Sequence, residues 1–162
     1  MRSSLSFLAT LLMASTTMAQ AYSTPEHLSV GVGAFEVLDD AELQFSAEYR
    51  GEYIWQGLRP MFGASADMEG GLYGYGGLHY DFFVTDEWVI SPNFAVGLYE
   101  RGDSKKLGGP IEFRSGLEVD YVLENASRIG VTFNHISNAS IYDKNPGAES
   151  LMLVYSHPID LF

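Results

Sequence analysis

The sequence has no cysteine, so an exported form holds no disulfide and must draw its stability from packing or from a membrane. Cations are scarce: 9 Lys and Arg stand against 21 Asp and Glu, for a net charge of −12. A phosphate backbone needs a basic surface, which argues against nucleic acid as a partner. Long apolar runs are missing as well. After residue 21 no window approaches the roughly 20 apolar residues of a membrane-spanning helix. Membrane insertion, if it occurs, must therefore use strands, and lipid admits strands only in a closed barrel. The acids form no calcium loop of the D-x-D-x-D-G kind, and neither metal nor cofactor is expected.

What is present begins with a leader. Arg2 supplies a short positive start, Leu5 to Met13 an apolar stretch, and Ala19-Gln20-Ala21 a small-residue cleavage site. This is the layout of a secretory signal peptide. Residues 1–21 are expected to be removed, with cleavage after Ala19 as the alternative. Residues 22–162 then form one domain.

The domain is dominated by period-2 alternation, the mark of strands with two unlike faces. Eight runs are expected: Leu28 to Phe35, Leu43 to Tyr53, Leu58 to Ala64, Gly71 to Phe82, Trp88 to Leu98, Ile111 to Tyr121, Ile129 to Phe133 and Ser150 to Ser156. Turn chemistry separates them, as at Asp39-Asp40, Arg101-Gly102-Asp103 and Asn145-Pro146-Gly147. Alternation alone does not say which face is inside. A soluble lipocalin-like carrier turns its apolar face inward, and a membrane barrel does the reverse.

Three features favour the reverse. The apolar face is bulky, and an eight-stranded barrel has room only for its own side chains. The polar face mixes small residues with Glu48, Arg50, Glu112, Arg114, Glu118 and Asp120, which could pair inside a narrow lumen. Aromatics (Tyr53, Trp55, Tyr80, Phe82, Trp88 and Tyr121) fall where strands should meet the membrane interface. The chain also ends on Phe162, which resembles the assembly signal read by outer-membrane insertion machinery. The expected fold is all-β, an eight-stranded antiparallel transmembrane β-barrel with both termini on the periplasmic side.

Parity then singles out three polar side chains. On the seventh run Ile129, Val131 and Phe133 face lipid, and the same parity reaches His135 and Ser137. On the eighth, Leu151, Leu153 and Tyr155 face lipid, and the parity runs back to Glu149. Polar groups on the lipid face are costly. A serine is a weak nucleophile until an imidazole takes its proton, and a carboxylate fixes that imidazole. Asn138, Asn145 and the Gly147 amide are candidate donors for an oxyanion. A bare His-x-Ser carries little weight, and Glu149 could be an ordinary first residue of a strand. His79 reads as an interior histidine, His27 and His157 as structural. Lys105 and Lys106 read as a solvated loop tip, with contact to lipid phosphates as the rival.

The segment Phe133-Asn134-His135-Ile136-Ser137-Asn138-Ala139, followed by Asn145-Pro146-Gly147-Ala148-Glu149-Ser150, resembles the lipid A 3-O-deacylase (PagL-type) family. The specific match lies in the C-terminal third; Leu58-Arg59-Pro60 and Gly76 to Asp81 agree more loosely. The resemblance implies an outer-membrane esterase that removes the 3-O-linked acyl chain of lipid A. Ser137 would be nucleophile, His135 base and Glu149 orienting acid, with Asn145 and Gly147 at the oxyanion hole. Ser140 departs from the glycine the family often has there, which leaves the loop shape open. A calcium-dependent outer-membrane phospholipase and a passive structural or adhesion barrel are the rival readings. A homodimer is left open.

Overall fold

The computed structural model describes residues 25–160. The expected leader over residues 1–21 and the terminal Phe162 lie outside them. The described chain is all strand and turn: β1 (Glu26–Phe35), β2 (Glu42–Arg50), β3 (Leu58–Asp67), β4 (Leu72–Tyr80), β5 (Phe82–Phe83), β6 (Trp88–Glu100), β7 (Ile111–Val122), β8 (Arg128–Ser137) and β9 (Ala148–Ile159). Every pairing is antiparallel between chain neighbours, β1 pairs with β9, and β4 pairs with β6. The sheet is therefore closed.

The barrel has eight walls because β4 and β5 are one strand with a gap. The register that sets His79 against Asn93 continues unchanged to Phe82 against Ile90. That register puts Pro92 at the gap, where the ladder lacks an N–H to donate. The expected seventh and eighth runs are thus β8 and β9. The second run ends at Arg50 rather than Tyr53. Tyr53 was expected on the membrane girdle, but it folds over the barrel mouth. Its hydroxyl donates to Asp81 Oδ2 at 2.8 Å, and the Arg59 guanidinium sits 4.5 Å above its ring.

The faces are those of a membrane barrel. Val30, Phe45, Leu78, Phe94, Leu117, Val131 and Leu153 are all exposed on the outer wall. Trp88 and Tyr121, register partners at the end shared with the termini, pack edge to face at 5.2 Å between ring centres. The charges lie inside. Arg50 donates to both carboxylate oxygens of Glu118 at 2.6 and 2.9 Å and to Glu48 at 2.7 Å. Arg114 reaches Glu48 and Arg128 reaches Asp81, each at 2.9 Å. His79 is fully buried, its Nε2 3.1 Å from Asp81 Oδ1. Bidentate arginine–carboxylate geometry repays part of the desolvation that burial imposes. Two cavities inside the barrel hold only about 20 and 10 Å³. The lumen is a packed polar core, which leaves the outer wall and the loops as places for chemistry.

Candidate active site on the outer wall

The site grows from the β8–β9 hairpin, where inward and outward residues alternate. Ile136 and Ala148 are register partners, both buried in the barrel, and they anchor the hairpin from within. The alternate positions point outward. His135 pairs directly with Glu149 across the ladder, and directly opposed side chains on neighbouring strands start about 5 Å apart. His135 Nδ1 lies 2.9 Å from Glu149 Oε1, with the histidine side chain 43% and the glutamate 28% exposed. In the neutral ring an Nδ1–H donating to the carboxylate leaves Nε2 as the free base.

Ser137 lies on the same strand and face, two residues outward, about 7 Å from His135 along the backbone. Among the described residues no hydrogen bond joins its hydroxyl to the imidazole. Catalytic hydrogen bonds without substrate are often long and tighten on binding. The structure thus brings His135 and Glu149 into contact and places Ser137 beside them.

A polar neighbour absent from the sequence reading also appears. Ser115 on β7 is the register partner of His135 and is exposed on the outer wall. Its parity with Phe113 and Leu117 was readable, but only the β7–β8 register puts it beside the ring. Phe113 pairs with Ser137 and stacks on Phe94 with ring centres 6.2 Å apart, giving the serine an apolar flank.

The loop over the hairpin, residues 138–147, holds the candidate donors. Asn138 is fully buried and committed: its Nδ2 donates to the carbonyls of Leu107 at 2.7 Å and Lys144 at 2.8 Å. It is a clamp between loops, so its side-chain amide is not available to an oxyanion. Asn145 is exposed, and its Oδ1 accepts the Asn138 backbone N–H at 2.9 Å. That bond fixes which end of the amide is oxygen and leaves Nδ2 with only a 3.5 Å contact to Ser140 Oγ. Gly147 has a φ of 68°, and a Cβ there would lie 2.8 Å from His135 Cε1 and 3.4 Å from Nε2. Its backbone is therefore packed against the edge of the imidazole that would receive a proton. Ser140 also adopts a positive φ, 60°, the conformation that glycine takes most readily.

A closed antiparallel barrel with an apolar belt outside and ion pairs within is an integral outer-membrane β-barrel. A family model described as lipid A 3-O-deacylase (PagL) matches residues 42–158, and the chain belongs to that family. The lipid A deacylase PagL of Bordetella bronchiseptica is 32% identical over 53 residues, 33% of this chain and 30% of that relative's length. The aligned part is thus less than a third of the relative. A crystal structure described as the outer membrane enzyme PagL matches with a TM-score of 0.67 at 20% identity, covering 82% of this chain and 99% of the other. A de novo designed transmembrane β-barrel matches with a TM-score of 0.55 at 12% identity, over 83% and 97% of the two chains. The two structural likenesses carry the fold.

Proposed function

We propose that this protein is a serine esterase that hydrolyses the 3-O-linked acyl chain of lipid A, with Ser137, His135 and Glu149 as its triad on the lipid-facing wall. The observation that carries the reading is the His135–Glu149 hydrogen bond of 2.9 Å on an outer wall that should be apolar, inside the family match. The substrate and the ester position come from family membership; the roles come from the chemistry of the residues.

The substrate reaches the wall by lateral diffusion in the outer leaflet. Ser137 Oγ attacks the ester carbonyl while its proton passes to His135 Nε2. Glu149 stabilises the imidazolium and holds the ring's tautomer. The carbonyl oxygen becomes an oxyanion, for which Asn145 Nδ2 and the Gly147 N–H are the donors at hand. The bond to the sugar oxygen then breaks, and that oxygen takes the proton from His135. A water gives its proton to His135 and attacks the acyl-serine, releasing the fatty acid and restoring the hydroxyl. Residues 1–21 serve as the export leader in this reading, and Phe162 as the assembly signal.

The test is covalent trapping. A lipid-soluble fluorophosphonate ester added to the folded barrel in detergent should label Ser137, as read by peptide mass spectrometry. Labelling should fall at least about 100-fold in His135→Ala, the scale on which a general base contributes. Labelling of Ser115 instead would move the nucleophile to β7, and no labelling of a folded barrel would return the passive-barrel reading.

A further inference from the structure

The chain's nine Lys and Arg residues are distributed unevenly, and the distribution points to a ligand. Arg2 lies outside the described residues. Arg50, Arg59, Arg114 and Arg128 are buried in the barrel. Lys105 is a strut: its Nζ lies 2.9 Å from Glu36 Oε1 and 3.9 Å from Asp39 Oδ2, tying the 101–110 loop to the 36–41 turn. The three that remain, Arg101, Lys106 and Lys144, all line one groove of about 730 Å³ between the 101–110 and 138–147 loops. Among the described residues none of the three is in an ion pair. Glu100 and Asp143 share the lining, so the groove has a small cationic surplus in a chain whose net charge is −12.

The groove is built rather than left between two free loops. Asn138 fastens both of its sides through the Leu107 and Lys144 carbonyls. Gly108, with a φ of 105°, lets the loops meet backbone to backbone, since a Cβ there would lie 2.0 Å from the Lys144 carbonyl oxygen. The Tyr142 hydroxyl accepts the Ile111 N–H at 3.2 Å, which pins the second loop to the head of β7.

Its height suits the headgroup of a membrane lipid. Pro110, in the groove lining, is three residues outward of Phe113, the register partner of Ser137. Three strand residues span about 10 Å. In a glucosamine lipid the acyl tail points into the bilayer, so the sugar and its phosphates lie outward of the ester, on the side where the groove opens.

We infer that this groove is the subsite for the phosphorylated glucosamine headgroup of the substrate, with Arg101, Lys106 and Lys144 contacting phosphate and Tyr142 offering a ring to the sugar. The inference rests on the deacylase reading for the identity of the lipid. It makes the loops a specificity device: the triad cuts an ester, and the groove selects an anionic sugar lipid over a zwitterionic phospholipid.

The experiment compares the detergent-solubilised full barrel with the Lys106→Ala/Lys144→Ala double variant on two substrates, bisphosphorylated lipid A and the same lipid A dephosphorylated. The expected result is a kcat/KM on the phosphorylated lipid about tenfold lower in the double variant, with a fall at least fivefold smaller on the dephosphorylated lipid. Loss of two charge contacts at a partly exposed site is of that order. The wild-type preference should also shrink as salt rises, because exposed charges are screened. Equal losses on both lipids, or none on either, would overturn the inference. Binding of the phosphorylated lipid to Ser137→Ala protein, with and without the two lysine changes, separates the two claims. If wild type cuts neither lipid but the lysine changes still weaken this binding, the deacylase reading fails and the groove stands. If binding is unchanged, the groove fails.

Discussion

At Gly147 the backbone turns left-handed and lies against the imidazole, so the smallest side chain is felt by the ring. Gly147→Ala meets His135 Cε1 and adopts a conformation that costs a non-glycine residue about 1–2 kcal/mol. The expected outcome is a modest fall in thermal midpoint with a loss of turnover of about 10- to 100-fold, because small misplacements of a reacting group are expensive. Steady-state kinetics with a melting curve separate the two effects; unchanged turnover would detach Gly147 from the site. Glu149→Gln keeps the size and shape of the side chain that meets His135 and removes its charge. It should lower kcat by about 10²- to 10⁴-fold with KM little changed, since in the proposed triad the carboxylate would act on the developing imidazolium. Ser115→Ala should keep most of the turnover; a loss as deep as that of Ser137→Ala would mean that the wrong serine has been placed against the imidazole.

The β8–β9 hairpin works as an element because its two faces do different things: Ile136 and Ala148 grip the barrel, and His135 and Glu149 meet outside. Asn138 joins it to the neighbouring loop. Asn138→Ala leaves the Leu107 and Lys144 carbonyls without their partner, at about 1–3 kcal/mol each where they stay buried. Hydrogen exchange should rise in residues 101–110 and 138–147 together while the strands stay protected; protection unchanged in both would refute the clamp. Much of this hairpin was legible in the sequence. Parity put His135, Ser137 and Glu149 on one wall, because a strand alternates strictly and Val131 and Leu153 mark the lipid side. The clamp was not legible, since Asn138 reads as a donor for chemistry until its partners in a distant loop are known. Ser115 escaped for the same reason: a register between strands is not written in either strand alone. Tyr53 went to the mouth rather than the girdle because Gly51 ends the strand's alternation two residues earlier, and its partners lie elsewhere in the barrel, Arg59 on β3 and Asp81 in the gap between β4 and β5.

At the scale of the whole molecule the protein is inverted, with apolar residues outside and ion pairs within. Arg50→Ala leaves Glu48 and Glu118 buried without their shared cation, and breaking such a set costs about 3–5 kcal/mol. Leu117→Arg, midway along β7 on the outer wall, should cost about 2–4 kcal/mol in a bilayer, and Leu98→Arg near the rim about 0–1. Urea unfolding from lipid vesicles measures all three; equal costs for Leu117→Arg and Leu98→Arg would argue against the assigned membrane depth. The same inversion fits the proposed placement of the chemistry on the wall. The lumen is filled, the belt belongs to lipid, and a lipid ester can meet a serine only near the rim where the two environments join.

The central claim is that this wall cuts lipid A, and mass spectrometry of lipid A tests it most directly. Cells expressing the wild-type barrel, Ser137→Ala or His135→Ala at matched membrane levels would be compared. The account predicts lipid A lighter by one 3-O-linked acyl chain in the wild type only. Unchanged lipid A in all three, with the barrel folded in the outer membrane, would contradict it.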